Sequence, residues 1–444
     1  MKPSTGSSRS GTQWRNWAGN QSAWPAEVAQ AKDVGDVATV VASAAARGLR
    51  VRPVGAGHSF TPAAVTGGVM LRLDHLTGIT GVERATGRVR VLAGTRLRHL
   101  NPALEAVGLA LPNLGDIDRQ SLSGAIATGT HGTGARLHGI ASAVRGLTMV
   151  LADGSVLECS AHQHPDVFEA ARVGLGALGV VTEVELQCVP AFRLHAVERP
   201  EPLLPLLERV QEEAEGNDHF ELYWFPHTDR TLTKRNNQVG GEPHPGPLAP
   251  WHAWVDDELL ANGIFELANR ASARWPSVVP RLNQLTARAL AAREFTDDSW
   301  RVFCSNRAVR FVESEYAVPR AVVADVLLEL RDWVNRHDEA LPFPVEVRFL
   351  AADDVWLSTA YERDTAYVAV HQYRRMDHRR YFAAFEAIVA EHAGRPHWGK
   401  LHTLDAARLR PLYPRFDDFL RVREELDPGG LFRNDYLDQV LGTR

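Results

Sequence analysis

The sequence predicts an α+β fold. Three observations point to it: short β-prone segments split by turn residues fill the first third, long amphipathic helices alternate with strands in the later half, and no internal repeat imposes one element type. With 444 residues the chain has room for roughly three units and more than one core. Apolar residues make up 45% and charged residues 23%, a balance that excludes wholesale disorder. Acidic side chains outnumber Lys and Arg by 54 to 49, giving a formal charge of −5 with no long run of one sign, which argues against a nucleic-acid or polybasic membrane surface.

After a polar leader and the aromatic residues Trp14 and Trp17, Asp33 to Arg47 repeats Val and Ala at helical spacing, with Gly48 as its stop. The run LRVRPVGAGHSF is a short strand that ends in a glycine-rich turn. Between Val69 and Leu151, VMLRL, RVRVLAG and LTMVL are strands of a mixed or antiparallel sheet, with one helix near Leu97 to Val107. Asp166 to Pro190 reads as a helix, a glycine turn and the strand VVTEVELQCV, closing a first domain over 14–190. From 191 to 405 a second α+β domain sets HFELYWFP and VEVRFL against amphipathic helices at Arg320 to His337 and Arg380 to Ala393. Within it, Asn236 to Pro250 is expected to be an exposed loop. Residues 406–444 are too few for a core of their own and are expected to pack back onto the rest.

The leader has no apolar core, and no run of about 18 apolar residues occurs, so neither a signal peptide nor an integral membrane segment is expected. Cys159, Cys188 and Cys304 lie far apart without a CxxC spacing, which fits a cytoplasmic protein without a disulfide scaffold. His162 and His164 sit in a polar loop, and His392, His397 and His402 have no carboxylate or cysteine cluster beside them in the sequence, so no metal site is expected. GxSxG and Walker A patterns are absent.

Two segments carry chemistry in the N-terminal half. In Val54, Gly55, Ala56, Gly57, His58 and Ser59, two glycines allow backbone amides close to an anion, and Ser59 adds a hydroxyl. In the run from Ser121 to Gly134, which includes Ser123, Gly124, Thr128, Gly129, Thr130, His131 and Gly132, bulk is confined to Leu122, Ile126 and His131. Such a stretch suits a backbone lying against a large flat ligand with a pyrophosphate. A third glycine cluster, Gly174 to Gly179, satisfies GxGxxG, but a helix precedes it and a strand follows, the reverse of a dinucleotide fingerprint. It reads as a helix-to-strand turn.

In Val345 to Phe349, strand alternation places Glu346 and Arg348 on one face, either as a surface ion pair or as a polyol-binding wall. The strand Tyr367 to Tyr373 puts His371 on one face with both tyrosines, as a core residue or a proton acceptor. Lys400 closes the segment RPHWGK, which combines an aromatic, a tight turn and a cation.

Together VRPVGAGHSF and SLSGAIATGTHGTG, in this order, resemble the flavin-binding domain of the vanillyl-alcohol-oxidase superfamily, and VEVRF, RPHWGK and LFRNDYL look like its sugar-lactone and alditol oxidoreductase branch. The resemblance implies a two-part FAD-binding domain of that type plus an α+β cap, with the FAD pyrophosphate against the two N-terminal segments. It implies covalent attachment through His58, as in several members, and places Lys400 beside the flavin ring. The implied reaction is oxidation of a sugar-1,4-lactone of the L-gulono-1,4-lactone type, with Glu346, Arg348 and His371 positioning the substrate. O₂, an acceptor protein or a quinone would reoxidise the flavin. An alditol oxidase, a reductase drawing on a nicotinamide cofactor and a non-catalytic flavin carrier are the alternatives.

Overall fold

A computed structural model describes residues 12–240, 244–248, 263, 265–304 and 309–443. Instead of the single N-terminal sheet expected, two larger sheets and two two-stranded ones form among the described residues. A parallel sheet runs in the order Glu27–Gln30, Val69–Arg72, Val51–Val54, and the helix Val34–Ala46 crosses between its outer strands. Parallel pairing needs such a crossover, which a hairpin cannot supply. The Asp33 carboxylate accepts the Asp36 N–H at 2.8 Å to start that helix, and Gly48, at φ +66°, turns the chain just beyond its end.

The second sheet is antiparallel and ordered Val156–Ser160, Val144–Val150, Val180–Gln187, Arg88–Leu92, Ile79–Glu83. Its central strand Val180–Gln187 alternates buried and half-buried residues, as a strand with one covered face must.

The later half is built on one eight-stranded antiparallel sheet, ordered Arg293–Asp298, Arg193–Pro202, Arg230–Gln238, His219–Trp224, Val345–Leu350, Thr365–Tyr373, Phe311–Pro319, Arg395–Pro396. Val347, Val368 and Tyr316 share a core with the helices Val323–His337 and Arg379–Glu391. Tyr316 meets Phe385 edge-on at 5.7 Å, and its hydroxyl donates to Glu386. The opposite face carries the charged residues and turns toward the first half. There Gly134 N donates to the Phe349 carbonyl at 2.7 Å, and His219 Nδ1 donates to the Thr133 carbonyl at 2.8 Å.

The expected loop over 236–250 is corrected at its start. Asn236 to Gln238 complete the strand Arg230–Gln238, because pairing with Leu194 to Ala196 satisfies their backbone groups; 241–243 and 249–250 lie outside the described residues. The C-terminal segment returns to the first half: Val51 N donates to the Leu431 carbonyl, and Asn434 Nδ2 reaches the carbonyls of Pro62, Ala63 and Val65. Cys159, Cys188 and Cys304 are free thiols, and among the described residues no helix is long and apolar enough to cross a membrane.

Candidate active site

The strand Val51–Val54 delivers Gly55 to Ser59 against the run that begins at Ser121. A Cβ on Gly55 would lie 2.2 Å from Ser121 Oγ, so only glycine lets the two segments touch. Gly57 sits at φ +71°, where other residues are strained. Ser121 caps the short helix Leu122–Ala127 by accepting the Gly124 N–H. Between these segments lies an inner cavity lined by Val54, Gly55, Ala56, Gly57, His58, Ser59, Ser121, Ser123, Gly124 and Thr128. Gly129 and Gly132 line neither this cavity nor the chamber beyond it. Gly129 turns the chain at φ +75°, and Gly132 is packed so closely that a Cβ would meet Asn113 Oδ1 at 2.2 Å.

The third glycine cluster is a turn between the helix Pro165–Ala171 and the strand Val180–Gln187, as the sequence indicates, yet Gly174, Gly176 and Gly179 also wall the inner cavity. Their lack of bulk is the same signal that marked the other two segments. Arg52, also on the wall, donates to the carbonyls of Ala63, Leu175, Gly176 and Phe432, tying the cavity's walls together. Burial, with Arg423 nearby, pushes its pKa down to about 9, so the cavity keeps a positive charge at neutral pH.

His58, Ser59, Gln120 and Thr128 are shared with an outer chamber of about 370 Å³. Thr130, His131, Glu346, Arg348 and Lys400 line it, with Glu313, Glu315 and His397. Strand register assembles this wall: Glu221 lies opposite Arg348, Tyr223 opposite Glu346, and both Glu346 and Glu315 flank Ala369. Arg348 is held on two sides, Nε 2.9 Å from Glu221 Oε2 and Nη2 2.5 Å from Glu346 Oε1, with Asp116 at 3.8 Å from Nη1. Burial opposes its charge, but Glu346 and Glu221 outweigh it and hold its pKa well above the usual range. Lys234 Nζ backs Glu221 at 3.2 Å.

Lys400 Nζ lies 2.5 Å from Glu313 Oε2 and 3.8 Å from Glu315 Oε2. Burial works against its charge, and the two carboxylates overcome it and push its pKa up. His371 does not reach the chamber. It lies behind Glu313, to which it is strand-paired, with Nδ1 3.2 Å from the Pro344 carbonyl and Nε2 3.6 Å from Glu313 Oε1. His371 therefore meets the chamber only through Glu313.

His58 stacks on Trp17, ring centroids 5.5 Å apart, and makes no hydrogen bond among the described residues. Burial first, then Arg96, Lys400 and Arg119, push its pKa down to about 4, leaving a neutral imidazole. The sequence passed over Glu313, Glu315 and Glu221, and weighed His397 only as a metal ligand. Glu313 and Glu315 alternate in FVESEY as Glu346 and Arg348 do in VEVRF, so the signal was present. His397 gains the carboxylate that its sequence neighbours lack: His131, Glu315 and His397 hold their ligand-capable atoms within 4.8 Å of one another.

Three walls of small residues, a buried guanidinium at the inner end and a paired lysine at the outer end fit a flat ring system joined to a pyrophosphate, as FAD is. The comparisons with known proteins agree. The model of an FAD binding domain matches residues 25–160, and that of D-arabinono-1,4-lactone oxidase matches 184–440. The chain is 45% identical to an L-gulono-1,4-lactone dehydrogenase of Mycobacterium tuberculosis over 97% of this chain and 99% of that one. It is 35% identical to the L-gulonolactone oxidase of Mus musculus over 97% and 98%. Its fold is that of a cholesterol oxidase from Brevibacterium sterolicum, at a TM-score of 0.83 and 20% identity, covering 97% of this chain and 96% of the other. The chain belongs to the D-arabinono-1,4-lactone oxidase family and is an FAD-dependent oxidoreductase.

Proposed function

We propose that the outer chamber binds a sugar-1,4-lactone of the L-gulono-1,4-lactone type and that the enzyme oxidises it at a secondary alcohol carbon. The observation that carries this reading is the meeting of Glu346, Arg348 and Lys400 in one chamber that shares its inner wall with the glycine-lined cavity. The names of the two relatives support the substrate class. Bound FAD supplies an acceptor for the hydride that leaves the substrate carbon, while the hydroxyl proton leaves to a base of the chamber. Arg348, fixed by Glu221 and Glu346, offers its remaining N–H groups to substrate oxygens, and Glu346 accepts from hydroxyls. Lys400 offers a positive charge where negative charge accumulates. His371 positions Glu313 and so Lys400. The cradle residues fall in 14–190, the chamber's charged strands in 191–405, and the returning segment in 406–444; we take these as the domain bounds.

Anaerobic mixing of the FAD-loaded protein with a panel of sugar lactones and alditols tests the reading. Bleaching of the flavin by lactones is expected. Bleaching by alditols alone would replace the substrate class, and no bleaching by any lactone would overturn it. Oxygen uptake with and without a quinone or an acceptor protein then assigns the reoxidant. The three free thiols support a cytoplasmic setting.

His58, neutral and free of hydrogen bonds among the described residues, is suited to attach the flavin covalently. Acid-precipitated protein is expected to stay yellow and fluorescent, and His58→Ala protein to turn colourless on precipitation. Colourless wild-type precipitate would remove the linkage.

A further inference from the structure

Beside the charged strands, the outer chamber is closed by the loop from Gly115 to Gln120, whose residues Gly115, Asp116, Ile117, Arg119 and Gln120 line it. The loop is fastened at three points. Cys304 Sγ donates to the Gly115 carbonyl at 3.6 Å, and the helix Leu97–Ala106 gives the Arg98 N–H to the Asp118 carbonyl at 2.8 Å and the Leu97 N–H to the Gln120 carbonyl at 3.0 Å. Amides of a helix's first turn have no partner inside the helix, so the loop supplies their acceptors and is held in place by them.

Asp116 is the residue through which this loop meets the wall. Its Oδ1 lies 3.8 Å from Arg348 Nη1, beyond hydrogen-bond reach, while Arg348 Nε and Nη2 are in direct contact with Glu221 and Glu346 at 2.9 Å and 2.5 Å. A gap of that width is what one oxygen spans when it is hydrogen-bonded to both sides. A guanidinium only donates and a carboxylate only accepts, so the oxygen has to accept from one and donate to the other. Water or an alcohol does this, and a ring ether or a lactone carbonyl oxygen does not.

We propose that the space between Asp116 and Arg348 Nη1 is a hydroxyl subsite that reads the exocyclic side chain of the sugar lactone, which makes Asp116 a specificity-determining residue. Position selects that part of the substrate. The reacting carbon has to lie against the cofactor ring, where the chamber meets the inner cavity at His58, Ser59, Gln120 and Thr128. Asp116 lines the outer chamber alone, on a loop that runs from the buried Gly115 to the exposed Arg119. A hydroxyl held there belongs to the end of the substrate away from the reaction.

The inference rests on the lactone reading, and one pair of substrates separates their failures. L-Gulono-1,4-lactone carries hydroxyls on an exocyclic side chain, and erythrono-1,4-lactone of the same ring configuration keeps the ring hydroxyls and has no such chain. In the FAD-loaded wild type, kcat/KM is expected to favour the gulono form about tenfold or more. Asp116→Ala is expected to cut kcat/KM for the gulono form about tenfold to a hundredfold, the cost of a lost hydrogen bond to a charged group. The loss should fall on KM rather than kcat and shrink the preference by the same factor. Asp116→Asn, which keeps an accepting oxygen, is expected to retain part of the preference. A preference as large in Asp116→Ala as in the wild type, or equal losses from the two variants, would overturn the subsite even where L-gulono-1,4-lactone bleaches the flavin. Bleaching of the wild type by neither lactone would remove the lactone reading and the subsite with it.

Discussion

The cradle and the wall of the chamber bind by opposite means. The cradle presents almost no side chain: Gly55 touches Ser121, three glycine turns surround the cavity, and its positive charge, on Arg52, is spent on backbone carbonyls. The wall is dense with buried charge, as Lys234, Glu221, Arg348 and Glu346 alternate in sign across three strands. Shape and backbone fix a cofactor whose identity never changes. On the proposed reading, paired charges fix the hydroxyls and ring oxygens of a substrate while leaving no net charge to bury.

That division predicts which substitutions remove FAD and which remove chemistry. The largest effect is expected from Arg348→Met, which leaves Glu221 and Glu346 without their shared cation. Losing one partner of a buried pair costs about 3–5 kcal/mol, read as a drop in urea-unfolding free energy. A cost under 1 kcal/mol would mean that the wall is solvated and the contrast is false. Next comes Lys400→Met, expected to slow flavin reduction by lactone about 10²–10³-fold in stopped flow, with FAD content unchanged. A variant that lost FAD instead would move Lys400 to the cradle. Gly55→Ala should weaken FAD about tenfold, since relieving overpacking costs about 1–3 kcal/mol, without changing the rate of the fraction that stays loaded.

The smallest effect concerns pH. His397 is buried and His402 half-buried, and desolvation pushes their pKa values down to about 3 and about 4, against about 6.5 for an exposed histidine. The unfolded chain therefore takes up protons that the folded one refuses as pH falls from 6.5 toward 4. The melting temperature should hold steady from pH 8 to 7 with respect to these groups and fall below 6.5. His402→Gln should flatten part of that slope, and an unaltered slope would show that the histidines do not control it.

The same contrast governs what the sequence discloses. The cradle is legible because its small residues are contiguous: a run such as Ser121 to Gly134 declares itself by composition. Even Gly174 to Gly179, correctly read as a turn, carried the mark of a cavity wall. The wall is legible only in part. Alternation in a single strand pairs Glu346 with Arg348, but which residues of other strands stand beside them is set by register. Glu221, for example, is 127 positions from Arg348 in the chain. For His371, likewise, alternation gives the face and not which neighbour stands in front of it. The parallel N-terminal sheet also depends on a crossover that strand patterns alone do not order.

The most direct measurement sets Gly55→Val and Lys400→Met side by side after expression with ample riboflavin, recording blue absorbance and then its bleaching by L-gulono-1,4-lactone without oxygen. Flavin should be absent from the first protein, and present but scarcely bleached in the second. Full flavin in the Gly55 variant, or wild-type bleaching in the Lys400 variant, would contradict the division between a cradle that holds FAD and a wall that reacts its substrate.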